Sequence, residues 1–517
     1  MISGSLKRTV AARIDCQMVQ SNSPATLSNT RNRALEQEPD PRVGLLPVLP
    51  PTLPALTHDA QGRRQVDYRA VTALAAPLFV NSGLQAVLNL TDTWFLGRIS
   101  ADATAAVGAI YWFVILFVLV LGGVGVAVQT LVAQAYGAGN RYGASEVTWG
   151  GLWVTLLMAP LFFTAGLSGS WLLALFHLPG PVESLALAYW SPRMSGAVAG
   201  VGLWTVTSFF NGIGRTRATL GLNLCVALLN AWLNQLIAFD LGLGVAGIAW
   251  ATTVSQSLVL CLALALFLSG PVRRDFGSHH YWRPRRLTMG RVLALGMPAG
   301  AFAAADLGGT ALFQLMQVDL GTVPGAATQI VMMLTSMAYM PAIGIASAGT
   351  TLVGQAVGAG DRDWAFVLGN AMTRVVVAYM GLLSLVLALA GPWLLPLFVS
   401  PGDPQAAAVV ETGALIIWIA AGYQVFDGLN FGASFALRGA GDVRIPALIV
   451  MALAWLGFVP LTHSLSFGPG EGWVDFLPQL GLGTLGGWSA LLVYAAVLGT
   501  LMWLRWRSGA WRRIDLG

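Results

Sequence analysis

The sequence is poor in charged residues. Only 10% of its 517 residues are Asp, Glu, Lys or Arg, whereas about a quarter of a soluble globular domain is charged. The chain therefore lacks the polar surface that a water-soluble fold needs. Charge-free runs longer than the ~20 residues of one bilayer crossing cover residues 103–140, 147–182, 241–272, 320–360, 375–402 and 476–504. We predict an all-α polytopic membrane protein.

Residues for catalysis or metal binding are also scarce. The three cysteines, Cys16, Cys225 and Cys261, make no disulfide framework and have no metal-ligand spacing. The five histidines do not cluster with acids, and the His279–His280 pair lies in a basic loop. Phosphate-loop, zinc-protease and serine-hydrolase motifs are missing. We therefore expect no enzyme activity, no cofactor and no nucleic-acid partner; the partners are a small-molecule substrate and the lipid bilayer.

Arginine positions predict the topology. With the N-terminus inside, the arginines collect in the connections that would face the cytoplasm, and Arg98 is the clear exception. Lys and Arg excess marks cytoplasmic loops, so both termini are predicted to be cytoplasmic in a bacterial inner membrane, with an even number of helices. Twelve are predicted, at about 70–97, 104–136, 144–170, 184–213, 218–239, 246–269, 290–316, 326–357, 364–392, 408–438, 445–467 and 480–504.

An internal repeat organises these helices. LVAQAYGAGNRYGA (131–144) is related to LVGQAVGAGDRDWA (352–365), and FNGIGRTR (210–217) answers LRGAGDVR (437–444). Two copies of six helices each then run the same way through the membrane, a transporter architecture with the substrate site between the halves. The predicted division is a disordered cytosolic tail (1–65), a first bundle (66–272), a cytosolic linker (273–289), a second bundle (290–506) and a C-terminal tail (507–517).

Polar residues form stripes on several predicted helices. Asp427 shares a helical face with Gln424, Asn430, Ser434 and Arg438. Comparable faces carry Asp306 with Thr310 and Gln317, Asp92 with Asn81 and Gln85, and Asn223 with Asn230 and Asn234. Such groups serve either as hydrogen bonds between helices, each worth ~0.6–2 kcal/mol, or as the lining of a cavity. For the three acids we favour the cavity, because intramembrane carboxylates mark ion and proton pathways.

Four segments resemble motifs of the multidrug and toxic compound extrusion (MATE) transporters, of the NorM-like and DinF-like kind. They are NLTDTWFLG (89–97), LLNAWLNQLI (228–237), GMPAGAFAAAD (296–306) and QVFDGLNFGASFALRGAGD (424–442). The likeness spans about residues 66–506. It implies two six-helix bundles around a central cavity, and export of cationic, amphipathic drugs or toxic metabolites by antiport with H⁺ or Na⁺ through alternating access. It also implies that the protein is a monomer.

The resemblance assigns roles to these residues. Asp92, Asp306 and Asp427 match the acids that couple transport to H⁺ or Na⁺, and Asp306 and Asp427 would bind the metal ion if the ion is Na⁺. Asn234 stands where members that couple through the N-terminal half can have an acid, so we favour the C-terminal half. Candidate cavity or ion ligands are Asn230, Asn234, Asn430, Gln424, Gln329 and Tyr339, the last two in TQIVMMLTSMAYM (328–340). That Met-rich segment suits either a permissive cavity or plain helix packing.

Two other transport functions stay open. A flippase for a lipid-linked precursor shares the superfamily fold, and it would need cationic side chains inside the cavity to hold pyrophosphate. Arg193, inside a predicted helix, is the residue that supports this alternative. An exporter of organic anions such as citrate is the second alternative.

Overall fold

The computed structural model describes residues 53–174, 180–400, 402 and 404–514. The described part begins with a short antiparallel hairpin, β1 (Leu56–His58) paired with β2 (Arg64–Val66). Helices form the rest: α1 Tyr68–Ile99, α2 Ala101–Gly137, α3 Arg141–Leu167, α4 Gly169–Ala174, α5 Gly180–Gly212, α6 Thr216–Leu233, α7 Gly244–Phe267, α8 Gly270–Phe276, α9 Arg286–Asp319, α10 Thr322–Gly358, α11 Arg362–Leu394, α12 Ala406–Gly439, α13 Arg444–Ala452, α14 Val459–Ser466 and α15 Gly483–Arg507.

The long helices fall at the twelve predicted positions. A π-helical segment, Asn234–Asp240, extends α6, and another, Leu453–Phe458, joins α13 to α14 into one span. Eleven of the described helical segments are long and apolar enough to cross a membrane. The twelfth, α5, has 33 residues and includes Glu183 and Arg193, which lower its apolar character. The predicted all-α polytopic class is confirmed.

Each half inserts the start of its first helix into the core of the other half. Val71, Ala75 and Leu78 of α1 belong to the apolar core formed mainly by α10, α11, α12 and α15. Val292 and Leu295 of α9 belong instead to the core formed mainly by α2, α3, α5 and α7. The two exchanges are related by the internal repeat, since Val71 and Val292 lie 221 positions apart. The halves are thus interlocked near one end of the bundle.

That end contains most of the arginine-bearing turns, and we call it the arginine-rich end. Backbones meet there without intervening side chains. A Cβ on Gly137 would overlap the main-chain carbonyl oxygen of Gln355, and a Cβ on Gly358 would overlap that of Gln134. Small residues allow helices in a membrane to approach this closely. The arginine-rich end is therefore closed.

Toward the opposite end, the matching faces of α2 and α10 are exposed. Trp112 of α2 is 36% exposed, while Met333 and Met337 of α10 are 51% and 63% exposed. Ser336 on the same face of α10 is also exposed. The halves are in contact at the arginine-rich end, whereas these faces of α2 and α10 are uncovered toward the opposite end.

The segments outside the bundles are more ordered than the sequence predicts. Residues 53–65, predicted as part of a disordered tail over 1–65, contain the hairpin except for its last residue, Val66; residues 1–52 lie outside the described chain. Trp364 Nε1 donates a hydrogen bond to the carbonyl of Pro54 at 2.9 Å, and Arg64 pairs with Asp361. The linker predicted at 273–289 is shorter, because α9 already begins at Arg286. In the C-terminal tail, Trp511 is buried and stacks on Trp506.

Candidate functional site

In the N-terminal half, the carboxylate of Asp92 joins polar groups from two other helices. Asn234 Nδ2 donates to Asp92 Oδ1 at 2.7 Å, and Thr252 Oγ1 donates to Asp92 Oδ2 at 3.3 Å. Asn230 Nδ2 donates to Thr252 Oγ1 at 3.1 Å. The structure therefore brings together Asp92, Asn230 and Asn234, as the stripes predict, and adds Thr252.

The backbone of α6 changes where this cluster forms. The π-helical segment begins at Asn234, and such segments often occur at functional sites. Asn230 and Asn234 are fully buried, and Asn234 Oδ1 has no hydrogen-bond partner within the described residues. An unpartnered buried oxygen beside a carboxylate, with a hydroxyl and a second amide nearby, is an oxygen-rich set of donors that suits a hard cation.

Arg193 lies within electrostatic range of the same carboxylate. Its guanidinium donates a hydrogen bond to Gln256 Oε1 at 3.4 Å and interacts electrostatically with Asp92. Tyr111 and Tyr189 lie within the electrostatic range of both groups. The in-helix arginine that could have suggested an anion site is therefore balanced by an acid.

In the C-terminal half, two carboxyl groups lie within electrostatic range of each other. Asp306 of α9 and Asp427 of α12 interact, and neither forms a salt bridge within the described chain. Asp306 Oδ1 accepts a hydrogen bond from the Tyr494 hydroxyl at 2.7 Å. Asp427 Oδ1 accepts a longer one, 3.4 Å, from Asn430 Nδ2. The geometry thus joins Asp306, Asp427 and Asn430, as predicted, with Tyr494 as an additional member.

Arg438 approaches this pair from the arginine-rich side. Its guanidinium lies 4.8 Å from the ring centre of Phe302 and 4.3 Å from that of Phe435, and it interacts electrostatically with Asp306. Arginine favours such positions over aromatic faces. Among the described residues no ion pair joins Arg438 to Asp427, because about three helical turns separate them on α12.

The remaining candidate residues occupy different positions. Tyr339 lies within electrostatic range of both carboxyls and packs edge-on against Phe431, with ring centres 4.9 Å apart. Gln424 is fully buried, and its Nε2 donates to the Thr335 carbonyl at 2.9 Å, so it holds α12 against α10. Gln329 is exposed on the uncovered face of α10, toward the end opposite the arginines.

Thr252 and Tyr494 are the site residues that the sequence stripes miss. Each contacts an acid far along the chain, 160 and 188 residues away respectively. A signal for Thr252 exists in the polar run TTVSQS (252–257) inside an otherwise apolar helix. Tyr494 has no comparable signal, because a single tyrosine is common in an apolar span.

Comparison with known protein families shows which family the chain belongs to. A family model described as MatE matches residues 77–236 and 306–462, which together form most of the chain. The chain belongs to the MatE family. The two matched segments correspond to the two repeats, so both halves carry the family pattern. Membership in this family of transporters confirms the predicted resemblance and the absence of an enzyme function.

Individual MatE relatives extend the match over nearly the whole chain. The chain is 34% identical to "Multidrug resistance protein NorM" of Burkholderia vietnamiensis over 88% of this chain and 96% of that protein. It is 28% identical to a "Probable multidrug resistance protein NorM" of Rhizobium meliloti, over 79% of this chain and 90% of that protein. Both alignments reach well beyond the residues that the family model matches.

Solved structures support the same fold. A MOP superfamily transporter from Pyrococcus furiosus superposes with a TM-score of 0.75 at 18% identity, over 86% of this chain and 96% of that one. A crystal structure of MATE in complex with MaL6 gives the same TM-score and identity and covers 97% of its own chain. At this identity the likeness concerns the fold alone.

Proposed function

We propose that this MatE transporter exports amphipathic organic cations, including drugs, in exchange for H⁺ or Na⁺ moving inward. The main support is the Asp306–Asp427 pair, two carboxyls in mutual electrostatic range with no salt bridge in the described chain. Carboxyls in a membrane are costly to keep unless they bind a cation or a proton. The names of the NorM relatives, which are multidrug resistance proteins, support export of drugs.

The two carboxyls have different partners and therefore different roles in this proposal. The Tyr494 hydroxyl donates to Asp306 at 2.7 Å and favours its anionic form, since a hydrogen bond to the charged form stabilises it. Asp427 has only the 3.4 Å contact from Asn430. We assign Asp427 as the group that takes up the proton. With Na⁺, both carboxylates and the Asn430 amide oxygen supply oxygen ligands.

Binding of the coupling ion would then release the drug. A cationic substrate between the halves would be attracted to the Asp306–Asp427 pair while the pair carries negative charge. Neutralisation of the pair removes this attraction, so substrate and coupling ion compete for the same carboxyls. A ligand can shift the two access states only through its different affinity for them. In this proposal the uncovered faces of α2 and α10 line a cleft that is open toward the end opposite the arginines in the releasing state.

Coupling through the N-terminal half is a second candidate. Its support is the hydrogen-bonded set of Asp92, Asn230, Asn234 and Thr252, together with the unpartnered Asn234 Oδ1. The carboxylate, two amides and a hydroxyl there could hold one Na⁺. The two sites are alternatives for the coupling ion, and the C-terminal pair stays our first choice because it contains two acids.

The arginines do not favour the flippase or citrate alternatives. A pyrophosphate or tricarboxylate would need several guanidiniums without acidic neighbours. Arg193 interacts with Asp92, and Arg438 interacts with Asp306 and packs on two phenylalanine rings. Each guanidinium near the cleft acids is thus balanced by an acid. We further propose a monomer in the bacterial inner membrane, with the arginine-rich end in the cytoplasm, because Lys and Arg excess marks that side.

The deciding experiment imposes the two gradients separately. Purified protein in liposomes would be loaded with a fluorescent organic cation, and a pH gradient or a Na⁺ gradient applied alone. Transport driven by one of the gradients supports antiport and identifies the ion. If neither gradient drives cation movement while a labelled lipid precursor or citrate is transported, the proposal is wrong.

A further inference from the structure

A groove opens on the outer surface between α1 and α6, beside the arginine-rich end. Its volume is about 950 Å³, within the range of small-molecule sites. The walls are apolar, with Ala76 and Val80 from α1 and Leu220 and Leu224 from α6. Val80 and Leu224 are 52% and 45% exposed. Because α1 and α6 both span the membrane, these walls face hydrocarbon.

Two arginines stand at the rim of this groove. Arg69 at the start of α1 and Arg217 at the start of α6 both line it, and both are exposed. Neither takes part in any of the salt bridges of the described chain, whereas nearby Arg215 pairs with Asp275 at 3.8 Å. None of the residues that line the groove is acidic. The groove lining therefore carries two positive charges that no salt bridge of the described chain neutralises.

Polar contacts join the two helices that form the groove. Asn223 Nδ2 donates to Asn81 Oδ1 at 2.6 Å, and Thr216 Oγ1 donates to the Leu74 carbonyl at 3.1 Å. These bonds fix α1 and α6 on the protein side of the groove. Gly221 lies in its wall, and a Cβ built there meets no atom within 4 Å. The two helices thus fix the shape of the groove, and the space beside Gly221 is open.

We propose that this groove binds one anionic phospholipid. Its phosphate would lie between Arg69 and Arg217, and an acyl chain would follow the apolar walls past Gly221. Basic pockets between membrane-spanning helices bind anionic headgroups, and Tyr68 at the rim is the amphipathic aromatic residue typical of the membrane interface. Charge complementarity selects an anionic lipid over a zwitterionic one, since the rim offers two cations and no acid.

The second repeat lacks this arrangement and offers matched controls. At the repeat offsets, Gly290 corresponds to Arg69, and Leu448 corresponds to Gly221, while Arg444 corresponds to Arg217. The C-terminal half therefore has one arginine where the N-terminal half has two, and a leucine where the groove is open. A lipid that binds by this geometry should select the N-terminal half.

Native mass spectrometry of the full-length protein in detergent tests the proposal, with phosphatidylglycerol, phosphatidylcholine and free glycerol phosphate as probes. We expect tighter binding of phosphatidylglycerol than of phosphatidylcholine. Arg69→Gln and Arg217→Gln should each weaken phosphatidylglycerol binding about fivefold, the order expected for one basic residue at a membrane surface. Gly221→Leu should weaken the binding of both lipids, because its side chain fills the path of the acyl chain.

The controls separate a built site from general surface charge. Arg444→Gln removes an arginine of the same end, and Gly290→Leu adds a side chain at another exposed position with free space around it; both should leave lipid binding unchanged. The proposal is overturned if the Arg69→Gln/Arg217→Gln double variant binds phosphatidylglycerol like the wild type. It is equally overturned if Arg444→Gln weakens binding as much, or if free glycerol phosphate displaces the lipid at the lipid's own concentration.

Discussion

Gln134 and Gln355 make the same contact in opposite directions. Gln134 Nε2 of the first half donates to the Gly439 carbonyl of the second at 2.9 Å, and Gln355 Nε2 of the second half donates to the Gly212 carbonyl of the first at 2.8 Å. The main-chain carbonyl oxygens of both glutamines also face the opposite half. A Cβ on Gly358 would overlap the one of Gln134, and a Cβ on Gly137 would overlap the one of Gln355. The closed end is thus sealed by a reciprocal pair of contacts.

Two threonines repeat this reciprocity. Thr130 Oγ1 donates to the Arg438 carbonyl, and Thr351 Oγ1 donates to the Asn211 carbonyl, each at 3.1 Å. The donors lie 221 positions apart and the acceptors 227, which are the two offsets of the repeat. Opening of this end must break both members of each pair together. We therefore expect the transition between the two access states to be cooperative across the halves.

Gly358→Ala should open the arginine-rich end. Its Cβ would overlap the Gln134 carbonyl, and backbone cannot move aside as a flexible side chain can. The distance between spin labels at positions 141 and 362 should shift toward a longer, open-state population. Gly290→Ala, where a Cβ meets no atom within 4 Å, serves as the control. An unchanged distance distribution in Gly358→Ala would contradict the sealed-end interpretation.

Asp427→Asn and Asp306→Asn should each reduce gradient-driven transport on the order of 10- to 100-fold, the loss of one charge-assisted interaction of about 1.5–3 kcal/mol. Initial transport rates in liposomes measure the effect. The exposed Asp475→Asn should transport like the wild type. Normal transport by both variants would transfer the coupling role to Asp92.

Asn234 gives a direct test of the N-terminal cluster. Asn234→Leu removes the 2.7 Å hydrogen bond to Asp92 and leaves the carboxylate with one donor fewer, whereas Asn234→Asp adds a second acid to the set. If the cluster binds Na⁺, then ²²Na⁺ binding should fall in the first variant and rise in the second. Equal Na⁺ binding in both variants and the wild type would exclude this cluster as the Na⁺ site.

The hairpin should detach from α11 in acid. The Trp364 amide and the Arg64 guanidinium hold the pKa of Asp361 below its usual value of 3.8. A lowered pKa in the folded state gives stability that is present above the unfolded value and lost as pH falls through the folded value. Hydrogen exchange in residues 56–66, corrected for the chemical rate, should therefore accelerate below about pH 4.

The matching control for this titration is Asp361→Asn. Its hairpin should exchange faster than the wild type near neutral pH and should show little further change in acid, because the titrating group is gone. The pair is partly exposed, with Arg64 at 55% and Asp361 at 21%, so the effect should be small. A wild-type hairpin whose exchange does not change down to pH 2 would contradict the prediction.

Arg64 and Arg285 form another reciprocal pair of contacts between the halves, at the membrane surface. They lie 221 positions apart, and each reaches the third long helix of the opposite half. Arg64 pairs with Asp361 at the start of α11, and Arg285 pairs with Glu146 of α3 at 2.8 Å. Both segments precede the first helix of their repeat. A charge reversal at either arginine should loosen the same end of the protein.

Helix number, the repeat and the acidic stripes were predictable from the sequence, because each depends on local periodicity or on self-similarity. The hydrogen bond from Tyr494 to Asp306 and the groove between α1 and α6 were not, because both depend on how distant helices pack. The folded structure of residues 53–66 could not be predicted for the same reason. A Pro-rich polar stretch resembles a disordered tail until the buried Trp364 is found to donate a hydrogen bond to Pro54.

The contacts of Gly137 and Gly358 imply that closure and transport depend on different parts of the protein. Their contacts join main chain to main chain, and a point mutation cannot strengthen or weaken such a contact gradually: any side chain blocks it. Exchange of the acids or of residues on the uncovered faces would then change transport without altering the contacts at Gly137 and Gly358. The choice of substrate and the leakage across the closed end would be set by separate parts of the protein.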